Sequence, residues 1–332
     1  RVFARPARQT TNQEVRMLLS PGPMHIPNGF LNTGVTLITW VLTVLALAYA
    51  LRRTSQDMDE RQVPLVGVLA AAIFAGQMLN FAVAGGTSGH LMGAAIAAIL
   101  LGPWPAILAL TCVVAIQALV FQDGGLVVMG ANIMNMAVIG VLVAYAVFRL
   151  FQKLIGGKPW GLYVSGFVAA WTSIMAAALA VALQLAFSGR SPANVAVPTM
   201  AGVHALIGLG EGLITVGALA FIRATRPDLL QAGAQPSRQS SWVWGIGLLL
   251  AVALAVASPL ASAHPDGLEW AAEELGFLET AQGAGYEIIP DYVLPGISSE
   301  ALATILAGVL GVLIVFGVAL GVAYMRRRRS AS

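Results

Sequence analysis

A single cysteine, four histidines and a charged fraction of only 10% are the scarcities that first narrow this 332-residue sequence. With Cys112 alone, neither a disulfide framework nor a thiolate metal cage can be built, and its apolar neighbours mark it as core. The shortage of charge, set against 58% hydrophobic residues and a mean hydropathy of +0.81, excludes an ordinary soluble domain. No Gly-x-x-x-x-Gly-Lys-Ser/Thr run occurs, so ATP hydrolysis by that kind of phosphate loop is excluded. The metalloprotease run His-Glu-x-x-His and the Gly-x-Ser-x-Gly elbow are missing too, which counts against an intramembrane hydrolase. The net charge of +3 is no nucleic-acid signal, because the basic residues sit mostly at the ends of apolar segments.

What is present is apolar length. Scanning for stretches of about 20 apolar residues yields candidates near 34–51, 63–84, 90–101, 104–121, 126–150, 160–187, 198–222, 242–260 and 301–325. The expected fold is an all-α integral membrane protein, a polytopic bundle of about nine transmembrane helices arranged as seven plus two, with glycine and alanine allowing close helix contact. The third stretch is short and glycine-rich, and Gly102-Pro103-Trp104-Pro105 breaks it from the fourth, which leaves open a partly re-entrant or steeply packed pair. Lys and Arg favour cytoplasmic loops. Placing residue 24 outside puts Arg52, Arg53, Arg61, Arg149, Lys153, Lys158, Arg223, Arg226, Arg238 and the terminal arginines inside, with Arg190 as the exception. The expected location is the cytoplasmic membrane, with the C-terminus inside.

The domain reading follows from the same pattern. Residues 24–225 form a seven-span permease, 226–241 a polar cytoplasmic linker, and 242–332 a two-span unit whose outer loop, 261–300, holds Asp and Glu but no Lys or Arg. Such a loop suits a solvated surface equally with one that concentrates cations at a pore mouth. Residues 1–23 carry Arg1, Arg5, Arg8 and Arg16, which this topology would place outside, and no apolar signal core follows them. They are expected to be absent from the mature protein, with translation beginning at Met24.

His25, His90 and His204 all fall near the outer end of the seven-span body. Each alone reads first as a packed or hydrogen-bonded residue; three on one side point to a metal, and imidazole suits Ni, Co, Cu and Zn. If Met24 is the first residue, its amine, the His25 amide and the His25 ring can chelate one ion through fused five- and six-membered rings. A nitrogen from His90 would complete a square, the geometry of Ni(II) or Cu(II). Thr87 and Ser88, in Gly85-Gly86-Thr87-Ser88-Gly89-His90, could orient the His90 ring through hydrogen bonds. Glu211, the one acid well inside a span, is a pathway candidate or a hydrogen-bonded packing residue. Asn132 and Asn135 read first as interhelical hydrogen-bonding groups and then as a pocket wall.

The runs Met24-His25-Ile26-Pro27-Asn28-Gly29-Phe30-Leu31, Gly86-Thr87-Ser88-Gly89-His90, Gly102-Pro103-Trp104, Gln117-Ala118-Leu119 through Asp123-Gly124-Gly125, Gly130-Ala131-Asn132 and His204 through Glu211-Gly212 occur in this order. Together they resemble the CbiM/NikM family, the substrate-binding components of energy-coupling factor transporters for cobalt and nickel. Pro265-Asp266-Gly267-Leu268-Glu269 resembles the PDGLE domain often found with them. The resemblance implies a four-nitrogen metal site at Met24, His25 and His90, and Ni(II) or Co(II) as cargo with no other cofactor. It also implies partners: a transmembrane coupling protein and cytoplasmic ATPases, the chain itself being no enzyme. The 23-residue extension departs from the family pattern, so either the start is misassigned or this member has lost the amine ligand. Two other readings are an ion-coupled secondary transporter with Glu211 as proton relay, and an intramembrane metalloenzyme built on His90, His204 and Glu211.

Overall fold

The computed structural model describes residues 24–156, 158–230 and 242–327. The extension 1–23, most of the linker (231–241), and Arg328 and Arg329 lie outside the described residues.

The chain is helical almost throughout. After an extended entry segment, α1 (Thr33–Asp57) starts where Asn32 Oδ1 accepts from the Val35 amide at 2.9 Å, an N-cap that satisfies one orphan donor. Next come α2 (Val63–Gln77), the hairpin β1 (Phe81–Val83) and β2 (Thr87–Gly89), and α3 (Ala94–Leu101). Helix α4 (Pro103–Phe121) ends in a π-helical turn, and α5 (Met129–Ile155) contains a second one at Ile133–Ile139. Helices α6 (Gly161–Phe187) and α7 (Ala193–Thr225) form a long antiparallel pair. The C-terminal part consists of α8 (Trp242–Val256), the short α9 (Gly267–Glu274) and α10 (Glu300–Arg326).

Among the described residues six helices, α1, α4, α5, α6, α7 and α10, are long and apolar enough to cross a membrane. Helices α2 and α8 are apolar but 15 residues each. The stretch 90–101, expected to span, is corrected most: only the eight residues of α3 are helical. At about 1.5 Å per residue they reach about 12 Å, well short of a ~30 Å hydrocarbon core. The physical reason is that Gly93 and Gly102 bound α3 at φ +76° and +74°, left-handed conformations that a helix cannot continue through.

Helix α10 packs along α2 and α4, and α8 packs on α2 and α10, so the C-terminal pair leans on the body through α2. Basic residues gather at one end: Arg327 pairs with Glu60 at 2.6 Å, and Arg223 donates to the Pro159 carbonyl. The opposite end carries the entry segment, the hairpin and the acidic loop. The face of α1 bearing Leu37, Ile38, Val41 and Leu45 is exposed, as expected of a lipid-facing surface.

Candidate metal site

The entry segment is threaded into the body rather than laid over it. Ile26 is clamped by Asn132, whose Oδ1 accepts from the Ile26 amide and whose Nδ2 donates to the Ile26 carbonyl, both at 3.1 Å. The Gly125 amide donates to the same carbonyl at 2.9 Å, and Arg190 donates to the carbonyls of Gly29 and Phe30. Gly124 makes the approach possible. It sits at φ +93°, and a β-carbon there would stand 2.9 Å from both the His25 β-carbon and the Asn132 amide nitrogen. Met24 and His25 are consequently buried, at 7% and 4% exposure.

A six-membered chelate ring from the His25 amide closes through Nδ1. That atom and the Met24 nitrogen converge on one oxygen: Asp123 Oδ1 lies 2.8 Å from the Met24 nitrogen and 3.1 Å from His25 Nδ1. A cation bound by the two nitrogens would take the place of Asp123 Oδ1 as their shared partner. The His25 ring meets His90 edge to face, centroids 5.5 Å apart. His25 Nε2 is buried without a hydrogen-bond partner. Both rings, with Asn132, Asn135, His204 and Asp266, line a cavity of about 90 Å³.

Electrostatics separate the two imidazoles. Burial disfavours charge on His25, but the adjacent Asp123 carboxylate outweighs it and lifts that ring above its ordinary value. Burial, and then the charge on His25, lower His90 and favour its neutral form. For Asp123 burial acts upward, and His25 with the Tyr292 hydroxyl more than offsets it, so the carboxyl lies below its usual range. Burial pushes Asp266 up to about 7.

The hairpin brings His90 to the cavity. Its register pairs Phe81 with Gly89 and Val83 with Thr87, and Gly85 and Gly86 turn the chain at φ +89° and +76°. His90 Nδ1 bonds the Leu91 carbonyl at 3.0 Å, which turns its other nitrogen away from that backbone. The hydroxyls of Thr87 and Ser88 bond not to a histidine but to carbonyls of the C-terminal unit, Pro265 at 3.1 Å and His264 at 2.8 Å. Glu211 is fully buried, and its two oxygens accept the amides of Met92 and Gly93 at 2.8 and 2.9 Å. It thereby ties the loop after His90, just before α3, to α7. His204 lines the cavity with Nδ1 on the Met200 carbonyl. Asn135 exchanges two side-chain bonds with Gln184, at 2.9 and 2.7 Å.

Among the described residues no three His, Cys, Asp or Glu side chains form a metal cage, so a centre made of His90, His204 and Glu211 does not assemble. Reasoning from sequence alone did not single out Asp123, Asp266 or Tyr292 as site residues. Asp123 carried a signal, since an acid followed by Gly124-Gly125 directly after an apolar run is well placed to touch inserted backbone. Asp266 and Tyr292 carried little, because only the docking of a distant segment brings them in.

Comparison with known proteins agrees with these features. The family model described as CbiM, cobalt uptake substrate-specific transmembrane region, matches residues 25–229, and that of the PDGLE domain matches residues 241–328. A protein of Archaeoglobus fulgidus, provisionally named as a fused nickel transport protein NikMN, is 37% identical over 310 residues, covering 93% of this chain and 100% of its own length. The fused nickel transport protein NikMN of Rhodobacter capsulatus is 36% identical over 82% of this chain and 84% of its own. A crystal structure of a truncated transition metal transporter superposes with a TM-score of 0.53 at 33% identity, covering 60% of this chain and 99% of the other.

Proposed function

The chain belongs to the CbiM family of cobalt uptake substrate-specific transmembrane proteins, extended by a PDGLE domain, and from that premise we propose that it captures Ni(II) or Co(II) for ATP-driven uptake. It is a multi-pass membrane protein of a metal-transport family. The proposed location is the cytoplasmic membrane, with the His25 end outside and the arginine-rich end inside, as the positive-inside rule favours.

One observation carries the reading: the Met24 nitrogen and His25 Nδ1 converge on a single oxygen, Asp123 Oδ1, beside the His90 ring at one buried cavity. A chain beginning at Met24 would add its free amine to the His25 amide, the His25 ring and His90, four nitrogens around one ion. Deprotonating an amide demands a strongly Lewis-acidic ion, which favours nickel and cobalt over magnesium or calcium. The sequence has no ATPase motif of its own, so the energy is assigned to a transmembrane coupling protein and cytoplasmic ATPases. In this role the chain is a transporter subunit and not an enzyme. The two amides that Glu211 accepts supply a structural reason for its burial without a proton relay.

The test is Ni(II) and Co(II) binding to purified protein beginning at Met24, beside the form with residues 1–23 and beside His90→Ala. Binding by the Met24 form alone, lost in His90→Ala, is the expected result. Equal binding by both N-terminal forms would remove the amine from the ligand set. Metal uptake that persists when ATP hydrolysis by the partner subunits is disabled would replace ATP coupling with a secondary transporter.

A further inference from the structure

Tyr292 belongs to the acidic loop of the C-terminal unit, yet its hydroxyl reaches Asp123 Oδ2 at 2.5 Å, across 169 residues of sequence. Asp123 is the residue whose other oxygen holds both the Met24 nitrogen and His25 Nδ1. A single carboxylate thus joins two nitrogens of the entry segment to a phenol of the C-terminal unit.

The backbone on both sides of this contact is held in an unfavourable form. Asp291 and Tyr292 lie at φ +52° and +59°, and Gln122, immediately before Asp123, at φ +55°. Non-glycine residues in this region each cost on the order of 1–3 kcal/mol and persist where surrounding contacts over-determine them. Those contacts are present. The Tyr292 ring stacks on Phe121 at 4.7 Å and 15°, the Ile289 amide donates to the Val120 carbonyl at 3.0 Å, and the Tyr286 hydroxyl donates to the Leu119 carbonyl at 2.8 Å. These carbonyls belong to the π-helical last turn of α4, and such turns recur at functional sites. The loop is also tied down at Gln282, whose amide donates to the Asn28 carbonyl, and at Pro265, whose carbonyl accepts from Ser88.

We infer that Tyr292 is a positioning residue of the metal site, holding Asp123 so that the Met24 nitrogen and His25 Nδ1 stay aligned for a divalent transition-metal ion. As metal takes over the two nitrogens, the carboxylate keeps Tyr292 as its partner and is not left as a bare buried charge. The C-terminal unit thereby sets the affinity of a site whose proposed ligands all lie in the other domain. This inference rests on the capture function proposed above.

The decisive experiment is a double-mutant cycle for Ni(II) binding by the full chain, in the N-terminal form that binds metal, with Tyr292→Phe, Asp123→Asn and the pair. Phenylalanine preserves the ring stack and removes only the hydroxyl. Hydrogen bonds to charged groups contribute about 1.5–3 kcal/mol, so Tyr292→Phe is expected to weaken binding about 10-fold or more and to shift the visible d–d spectrum of bound Ni(II). In the Asp123→Asn background the same substitution is expected to cost nothing further. Unchanged affinity in Tyr292→Phe, or losses that simply add, would overturn the inference. A metal-free measurement separates this from failure of the capture function itself: hydrogen exchange at residues 24–30 should rise in Tyr292→Phe even if no metal binds. Unaltered exchange there would also overturn it.

Discussion

The cavity at His25 and His90 encloses about 90 Å³, whereas a groove between α2, α3, α7 and α8 opens to about 540 Å³ and is lined by aliphatic side chains such as Leu69, Ile73, Ile214 and Leu250. The smaller cavity gathers three imidazoles, two amides and a carboxylate from five separate stretches of chain; the larger has Arg226 as its one charged lining residue, already paired with Asp228 at 2.7 Å. Volume therefore says little about where an ion binds. A small divalent cation needs fixed nitrogen or oxygen atoms and a dry surround, and the small cavity has both. The groove offers dispersion contacts and nothing that would replace a hydration shell.

Substitutions at the two cavities should differ accordingly. His90→Ala is expected to weaken Ni(II) binding by more than ~100-fold, beyond the 10–100-fold typical of residues that only support a ligand, as read by competition with a chelator of known affinity. A smaller effect would reduce His90 to a wall of the cavity. Glu211→Ala removes one acceptor from each of two buried amides, Met92 and Gly93. Each orphaned group costs about 1–3 kcal/mol, so thermal stability should fall markedly in metal-free protein, with metal affinity falling less than in His90→Ala. Retained stability combined with lost uptake would instead return Glu211 to the transport path.

The pH response sharpens the contrast further. Asp266 has a folded value pushed up to about 7 by burial, above the ordinary aspartate value of about 3.9. Its contribution to stability is therefore fully present below about pH 4 and is lost as pH rises through about 7. Asp266→Asn can still cap α9, where Asp266 Oδ1 accepts from the Leu268 and Glu269 amides, and it cannot ionise. The variant should melt above the parent at about pH 8 and close to it at about pH 4, a difference of a few degrees checked by thermal shift. The smallest effect is expected in the groove. Ala218→Leu, remote from the histidines, should leave Ni(II) affinity within about two-fold, since distant sites act independently.

Much of the architecture is legible along the chain because a bilayer imposes a simple rule: about 20 apolar residues in a row must form a helix. The six long spans follow directly from it. The rule fails at 90–101, where the hydropathy of Leu91-Met92 and the alanines conceals the left-handed glycines Gly93 and Gly102. It also marks 63–84 and 242–260, where the structure forms helices of only 15 residues, α2 and α8, packed against their neighbours.

The amino-acid sequence by itself determined the membrane class, the charge asymmetry between the two ends and the residue types able to hold a transition metal, since these depend on composition and local spacing. Tertiary structure alone decided that Asp123 faces Met24 and His25, that Thr87 and Ser88 serve the C-terminal unit, and that Tyr292 closes the set. Those contacts join residues 98 to 178 positions apart. No local pattern encodes such pairings, because they arise only when packed helices and a docked loop bring the partners within hydrogen-bonding distance.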